Sequence, residues 1–565
     1  MKVSTFRKYV QGISFTLFVL LFLFTVYPFA GTLPVEIFLQ FDPLVALVSM
    51  VASRTVITTM FWAILILGLS LILGRFFCGY ICPLGIIIDS TNYIFYGKKR
   101  KKHKRENKEP KKNRNIKYFI LIGVVAASLL GADLLHFFSP MSIVPRTFTL
   151  VIFPPVIWFL NFLIDLVRPI ALNMGMDSLL QFSFHRPHFE NSIPMLVFIT
   201  AILAANFWRK RFWCRYVCPT GALISLVSRF GIFKRTVKQS CNSCMLCQVQ
   251  CDMRAIDEDP KKTILSECTL CGNCVDACKD GENAISLTGF GTAGQNAGLL
   301  VDRRKFIYST AAGIIGASAI KGGIHNKDNI KGRFIRPPGA IPEKDFLARC
   351  IRCGECMKVC KTNGLQPINM ESGLDAIWTP RLKPRVGPCE DKCNMCGQVC
   401  PTQAIRAIPI EEKLFVKIGT AVIDRRRCIA WEQNKLCLIC DEICPYDAIE
   451  FRIVNSFTGP FKRPFVIEDK CMGCGWCENK CPILGRAAIE VYSIGEERIA
   501  KGSYITEQKK KMREITENHE TGYDVNALGS GGEKGGPVKQ PSQHTLPEDT
   551  STKENEPLPG GFTLD

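Results

Sequence analysis

Six groups of four cysteines dominate this 565-residue chain and account for all but four of its 28 cysteines. The first two groups are Cys241, Cys244, Cys247, Cys251 and Cys268, Cys271, Cys274, Cys278. The next two are Cys350, Cys353, Cys356, Cys360 and Cys389, Cys393, Cys396, Cys400. The last two are Cys428, Cys437, Cys440, Cys444 and Cys471, Cys474, Cys477, Cys481. A tight run of three cysteines can wrap one face of an iron–sulfur cubane, while the fourth, on the following turn, reaches a neighbouring one. On this logic Cys278 completes the first centre and Cys251 the second, and the chain carries six [4Fe–4S] clusters. Structural zinc prefers two separated Cys-x-x-Cys pairs to a triplet with a distant fourth. A disulfide scaffold would be short and secreted. No Cys-x-x-Cys-His is present, which excludes covalent c-type haem.

The net charge of +20 would suggest a nucleic-acid partner in a soluble protein, but here the cations flank apolar runs. Ile13 to Ala30, Val56 to Gly74 and Tyr118 to Phe138 approach the ~20 residues that cross a bilayer, and Ile193 to Trp208 is a shorter fourth. The basic stretch from Lys98 to Lys117 marks a loop kept on the cytoplasmic side, as do Arg7, Lys8 and Arg209 to Arg211. The partner expected from this pattern is therefore membrane lipid, and no nucleic acid. Thr147 to Leu166 is apolar too, but Pro154-Pro155 interrupts it, and it is read as re-entrant or interfacial. The predicted fold class is an α-helical membrane domain of about four transmembrane helices joined to α+β ferredoxin-like [4Fe–4S] domains.

The membrane half is a duplication. Arg75-Phe-Phe-Cys78-Gly-Tyr-Ile-Cys82-Pro-Leu-Gly85 returns as Arg211-Phe-Trp-Cys214-Arg-Tyr-Val-Cys218-Pro-Thr-Gly221, and Phe41-Asp-Pro43 returns as Phe138-Ser-Pro140. Two copies imply one orientation for both cysteine pairs. Cys78, Cys82, Cys214 and Cys218 are candidates for redox dithiols or for a seventh metal centre, against the plain alternative of buried inert thiols. Residues 1–235 form the membrane domain, 236–290 a two-cluster domain, 291–340 a linker, 341–500 a four-cluster domain and 501–565 a polar, disordered tail. Ala404-Ile405, Ala448 to Phe451 and Ala488 to Val491 are expected as short strands of the cluster domains.

The linker holds Asp302-Arg-Arg-Lys-Phe-Ile307 followed by a Gly/Ala-rich apolar run to Ile320. This resembles an internal twin-arginine export signal, which would carry the four-cluster domain out and leave it tethered or cleaved near Ala317-Ser-Ala319; a packed helix between domains is the alternative. The expected location is a bacterial or archaeal cytoplasmic membrane, with the two-cluster domain cytoplasmic and the four-cluster domain periplasmic. Gly289-x-Gly291-x-x-Gly294 matches a dinucleotide fingerprint but lacks the βαβ unit that would give it meaning.

Taken together, the doubled RF[FW]CxY[IV]CPxG, the apolar spans and the paired Cys-x-x-Cys-x-x-Cys-x-x-x-Cys runs resemble the NapH-type quinol dehydrogenase membrane subunit, related to the membrane part of NosR. The export-like segment with four cubane groups resembles the NapG/MauM ferredoxin-type proteins. The resemblance implies quinol as electron donor, a quinol dehydrogenase role, and a periplasmic oxidoreductase or cytochrome, such as nitrate reductase, as acceptor. Similarity to electron-transfer subunits of molybdopterin oxidoreductases implies that the first group of the four-cluster domain pairs with the fourth and the second with the third. Quinol oxidation needs a proton acceptor, and the sequence names no secure one: His136, His185 and His188 are candidates, against the favoured plain reading of surface or interface histidines. A second reading, from related CxxxCP membrane proteins of the CcoG/RdxA family, is a redox maturation factor for a metalloenzyme.

Overall fold

The computed structural model describes residues 3–26, 35–96, 114–173, 183–190, 192–257, 259–278, 284–287, 303–322, 334–369, 373–456, 459–507 and 509. Residues 98–113 of the basic loop, the dinucleotide-like glycines and the tail beyond 509 lie outside these residues. Ten longer helices are α1 (Val3–Phe24), α2 (Pro43–Ser53), α3 (Trp62–Leu73), α4 (Pro83–Tyr96), α5 (Ile116–Leu129), α6 (Pro140–Thr147), α7 (Phe153–Asn173), α8 (Ser192–Trp208), α9 (Pro219–Ser228) and α10 (Arg303–Gly322). Among the described residues two helical runs are long and apolar enough to cross a membrane, Val3–Phe24 with 22 residues and Pro140–Pro169 with 30. Thr58–Leu73, Ile116–Leu129 and Ser192–Trp208, three of the expected spans, form shorter apolar helices.

The expected re-entrant break at Pro154-Pro155 is absent, because α6 and α7 run on through a π-helical turn at Phe148–Ile152. Phe153 donates to the Phe148 carbonyl five residues back, so the chain stays helical up to the two prolines.

The duplication is visible as geometry. Asp42 caps α2, accepting from the Leu44 and Val45 amides at 3.0 and 3.3 Å, with Pro43 as first helical residue. Ser139 caps α6 in the same way, accepting from Met141 at 3.2 Å ahead of Pro140. The two caps meet: Ser139 Oγ donates to Asp42 Oδ2 at 2.7 Å. The start of one short helix is thus buried against the start of its repeat, and each side-chain oxygen satisfies a donor the helix itself leaves open.

Small antiparallel sheets organise the cluster domains. β1 (Thr236–Val237) pairs with β2 (Ile285–Ser286), and β3 (Leu365–Pro367) with β4 (Pro380–Leu382). β5 (Thr420–Ile423) pairs with β8 (Ile489–Tyr492), and β6 (Ile449–Ser456) with β7 (Gly459–Val466). The expected strands at 448–451 and 488–491 are therefore present within a residue, whereas Ala404-Ile405 makes only an isolated bridge to Ala340.

Three helices join one cluster domain to the other. α1 begins where Ser4 bonds Asp276 and ends where the Phe22 carbonyl accepts from Lys358. α3 follows Thr59, which donates to Pro401 O at 2.8 Å, and precedes Arg75, which reaches Glu267 at 2.7 Å. α5 opens at Lys117, 2.5 Å from Glu267, and leads to Asp133, beside Arg352. With 22 residues, α1 holds the two domains about 33 Å apart. α10 runs alongside α5 in the same direction, with Gly313 against Gly123 so closely that a methyl group on Gly313 would overlap backbone, and with Ala317 buried against Ala127 and Ala132. The twin-arginine-like segment is therefore a packed helix, and Ala317 is enclosed in it.

Candidate iron–sulfur cages and the paired cysteine motifs

Four cysteines line each of three internal pockets. Cys428, Cys437 and Cys440 share one with Cys481, walled by Ile423, Ile439 and Ile489. Cys471, Cys474 and Cys477 share another with Cys444. Cys268, Cys271 and Cys274 share the third with Cys251, as the spacing predicts. Cys278 packs into the same apolar cluster as Cys247, whose thiol also lies in electrostatic reach of Cys241 and Cys244. In the four-cluster domain Cys400 faces Cys350, Cys353 and Cys356, and Cys360 faces Cys389, Cys393 and Cys396.

The expected pairing of first group with fourth and second with third is thus corrected: the first pairs with the second and the third with the fourth. The physical reason is local. Each fourth cysteine follows the short helical turn of its own group, and the turns of the first and second groups pack on each other, as do those of the third and fourth.

The cages fit cubanes. Among the described residues no three ligating side chains close around a single ion-sized point; the thiols stand apart around a cavity, as a multi-iron cluster requires. Burial pushes the Cys251 thiol up to about 12 and the Cys350 thiol up to about 11. Thiolates form at such positions only when a cation replaces the proton. Backbone amides already point at the sulfurs: Ala255 donates to Cys251 Sγ at 3.2 Å, Ala448 to Cys444 at 3.3 Å and Ile405 to Cys400 at 3.4 Å. Cys251 lacks the following proline that Cys444 and Cys400 have, yet its sulfur receives the same bond.

The remaining four cysteines converge. Cys82 lies in electrostatic reach of Cys214, Cys78 and Cys218. Both motifs share one conformation, a π-helical turn (Phe77–Ile81 and Trp213–Val217) followed by an extended-ψ cysteine and a proline that opens α4 or α9. Pro83 has no amide to bond the Gly79 carbonyl, which instead accepts from Arg7 Nε at 3.2 Å and Gln11 Nε2 at 2.9 Å on α1. A methyl group at Gly85 would lie 3.0 Å from Cys78 O, and one at Gly221 3.0 Å from Arg75 Nη2.

The repeat arginines do not act within their own copies. Arg75 joins Glu267 of the two-cluster domain and leans over Gly221 of the second copy. Arg211 reaches back to Asp89 of the first, its Nε at 2.7 Å from Oδ1, where Arg7 and Gln11 also converge. Burial pushes the Glu267 carboxyl up, but Lys117 and Arg75 outweigh it and hold it below the usual carboxylate range. Arg75 is fully buried, and its Nε and Nη2 have no partner.

Of the three histidines, His185 is exposed and His188 offers its carbonyl to Asn363 and Gln366 of the four-cluster domain, at 2.5 and 2.9 Å. His136 is buried where α5 meets that domain. Asp133 and Arg352, its neighbours, carry no sequence motif and were not foreseen; the only signal was an acid near the end of an apolar run.

Fold and cages define a multi-cluster ferredoxin-type protein. A model described as a 4Fe-4S binding domain matches residues 55–103 and again 192–238, and a 4Fe-4S dicluster domain matches 435–483. The methylamine utilization ferredoxin-type protein MauM of Methylorubrum extorquens is 35% identical over 189 residues, 32% of this chain and 83% of that protein. The ferredoxin-type protein NapG of Escherichia coli K12 is 35% identical over 211 residues, 35% of this chain and 88% of its own. NapF of Haemophilus influenzae is 30% identical over 163 residues, 28% of this chain and 80% of its own. The chain belongs to this family of MauM- and NapG-type ferredoxins, and it is an iron–sulfur electron-transfer protein. No solved structure matches it.

Proposed function

We propose that this chain is a quinol-fed iron–sulfur conduit that spans a membrane, fusing a NapH-type quinol dehydrogenase unit to a NapG/MauM-type four-cluster domain. In this reading it holds six [4Fe–4S] clusters at the 24 grouped cysteines and hands electrons to a periplasmic reductase, such as nitrate reductase. The observation that carries it is α1, whose two ends touch the two cluster domains at opposite ends of an apolar helical layer. That arrangement supports a cytoplasmic two-cluster domain and a periplasmic four-cluster domain, joined by α10 as a membrane-crossing helix. The exposed apolar side chains of the helical layer, Ile64, Phe159, Leu163 and Val197 among them, suit a lipid surround.

Bound clusters would supply one-electron chemistry. The chain's own residues hold the thiolates, keep water out with isoleucine walls and direct amide dipoles at sulfur. Cys78, Cys82, Cys214 and Cys218 hold a further iron–sulfur centre in this reading, between the two domains. It is supported by their convergence, by the buried Arg75 beside them and by the description of the family model that covers them.

The test is anaerobic protein in lipid nanodiscs, given a reduced menaquinone or ubiquinone analogue while visible bleaching, EPR and iron content are followed. Bleaching with about 24 iron atoms per chain supports six cubanes, and about 28 adds the seventh centre. Full iron with no reduction by any quinol overturns the quinol-fed reading.

A further inference from the structure

A cavity of about 300 Å³ opens where α5 ends against the four-cluster domain, lined by Ala132, Asp133 and His136 on one side and Lys344, Arg352 and Asp375 on the other. Its two cations and two carboxylates balance, which suits a neutral polar ligand better than an anion. Its size falls at the lower end for small-molecule sites. Leu129 and Leu130, at the end of α5 beside it, are exposed and continue the apolar helical surface up to its mouth.

The hydrogen bonding inside is incomplete in a specific way. Arg352 Nη1 bonds His136 Nδ1. A guanidinium cannot accept, so Nδ1 carries no proton and the neutral ring keeps its N–H on Nε2. That Nε2 is buried without a partner, as is Asp375 Oδ1. Asp133 Oδ1 accepts from the Leu135 amide at 2.9 Å, while its Oδ2 stands 4.0 Å from Arg352 Nη1, too far for a hydrogen bond. The cavity therefore offers one fixed donor and two carboxylates that can accept, and no group within it completes either set.

We infer that this cavity binds the head group of a quinol, with His136 Nε2–H donating to one of its oxygens and Asp133 receiving a hydroxyl proton. The inference rests on the quinol-fed reading above and locates its entry point. His136, one of the candidate acceptors in the sequence, is here a donor held by Arg352. Oxidation of the quinol releases two protons and two electrons. Asp133 and Asp375 take the protons, and an oxidised cluster held by Cys350, Cys353, Cys356 and Cys400 would accept the two electrons one at a time. Arg352 lies between two of those cysteines in sequence, and Arg146 stacks at 4.0 Å over Trp378 while bonding the His136 carbonyl at 3.1 Å. Both cations lie within electrostatic reach of Cys350, a setting that favours an added electron on that centre.

The experiment uses full-length, cluster-loaded protein in nanodiscs with two variants. Leu374 also lines the cavity, so Leu374→Trp fills it without removing any of its charged groups, and Asp133→Asn removes the acceptor at constant size. Binding of a hydroxyquinoline N-oxide head-group analogue is measured by equilibrium dialysis, and bleaching is followed with a quinol and, separately, with dithionite. The expected result is one analogue bound per chain, binding lost in Leu374→Trp, and binding retained in Asp133→Asn with quinol bleaching slowed about 100-fold. Dithionite bleaching should match the unaltered protein in both variants, which shows that the clusters are in place. If the unaltered protein is bleached by quinol and Leu374→Trp is bleached equally fast, the site is elsewhere and the inference falls while the quinol-fed reading stands. If quinol never bleaches the unaltered protein, that reading falls and takes the inference with it.

Discussion

The two copies of the CxxxCP unit have the same backbone and different chemistry at nearly every contact. In the first, an acid caps the short helix; in the second, a hydroxyl does, and donates to that acid. In the first, the arginine leaves the duplicated unit for Glu267; in the second, it folds back to Asp89. A duplicated unit kept two copies of a scaffold, and divergence turned the contacts between them from repeats into complements. The difference teaches that the pair works as one object, since each copy lacks what the other provides.

The strongest way to break that view is at the cysteines. Cys82→Ser and Cys218→Ser are each expected to remove the same centre, lowering iron by about four atoms per chain. Unequal losses, or none, would mean that the copies hold metal separately or not at all. Next come the carboxylates that fasten the arginines. Glu267→Ala leaves Arg75 and Lys117 buried without their partner, and Asp89→Ala does the same to Arg211 and Arg7. Each should cost about 3–5 kcal/mol, read as earlier loss of helical circular dichroism on heating in nanodiscs.

Burial pushes the Asp89 carboxyl up, but Arg211 and Arg7 prevail and hold it below its ordinary range. Its contribution is therefore complete above the ordinary aspartate value near 4 and fades as pH falls through the depressed value. An acid titration of thermal stability should show this fade in the unaltered protein and a flatter curve in Asp89→Asn.

The glycines sharpen the comparison at smaller cost. Gly85→Ala presses on the fixed Cys78 carbonyl and should lose about 1–3 kcal/mol by overpacking, whereas Gly221→Ala meets only the end of the Arg75 side chain and should lose less. Equal melting shifts would show that Arg75 is as rigid as backbone. Smallest is the second cap: Ser139→Ala should cost about 1 kcal/mol, and less than Asp42→Ala, because Asp42 also accepts from Leu44, Val45 and Ser139.

The grouping of the cysteines was legible, because ligand spacing is a short-range pattern that survives any arrangement of the rest. So was the duplication, and with it the shared form of both CxxxCP segments. The pairing of cages was not, since the borrowed order of first with fourth competed with a local preference that spacing alone cannot express. The Pro154-Pro155 pair misled because the helix runs up to it through a π turn and continues beyond, and no residue type announces a π turn. Asp133, His136 and Arg352 come together from positions more than 200 residues apart, and Arg352 reads in sequence as one more cation near a cluster.

The three helices that run from one cluster domain to the other have an electrical consequence. Once they lie across an energised bilayer, an electron moved from one domain to the other traverses the membrane voltage, and each 100 mV then changes its energy by about 2.3 kcal/mol. Only electrons exchanged between the two domains would feel that voltage: polarisation of one sign would hold them on one domain, and polarisation of the other would draw them to its partner.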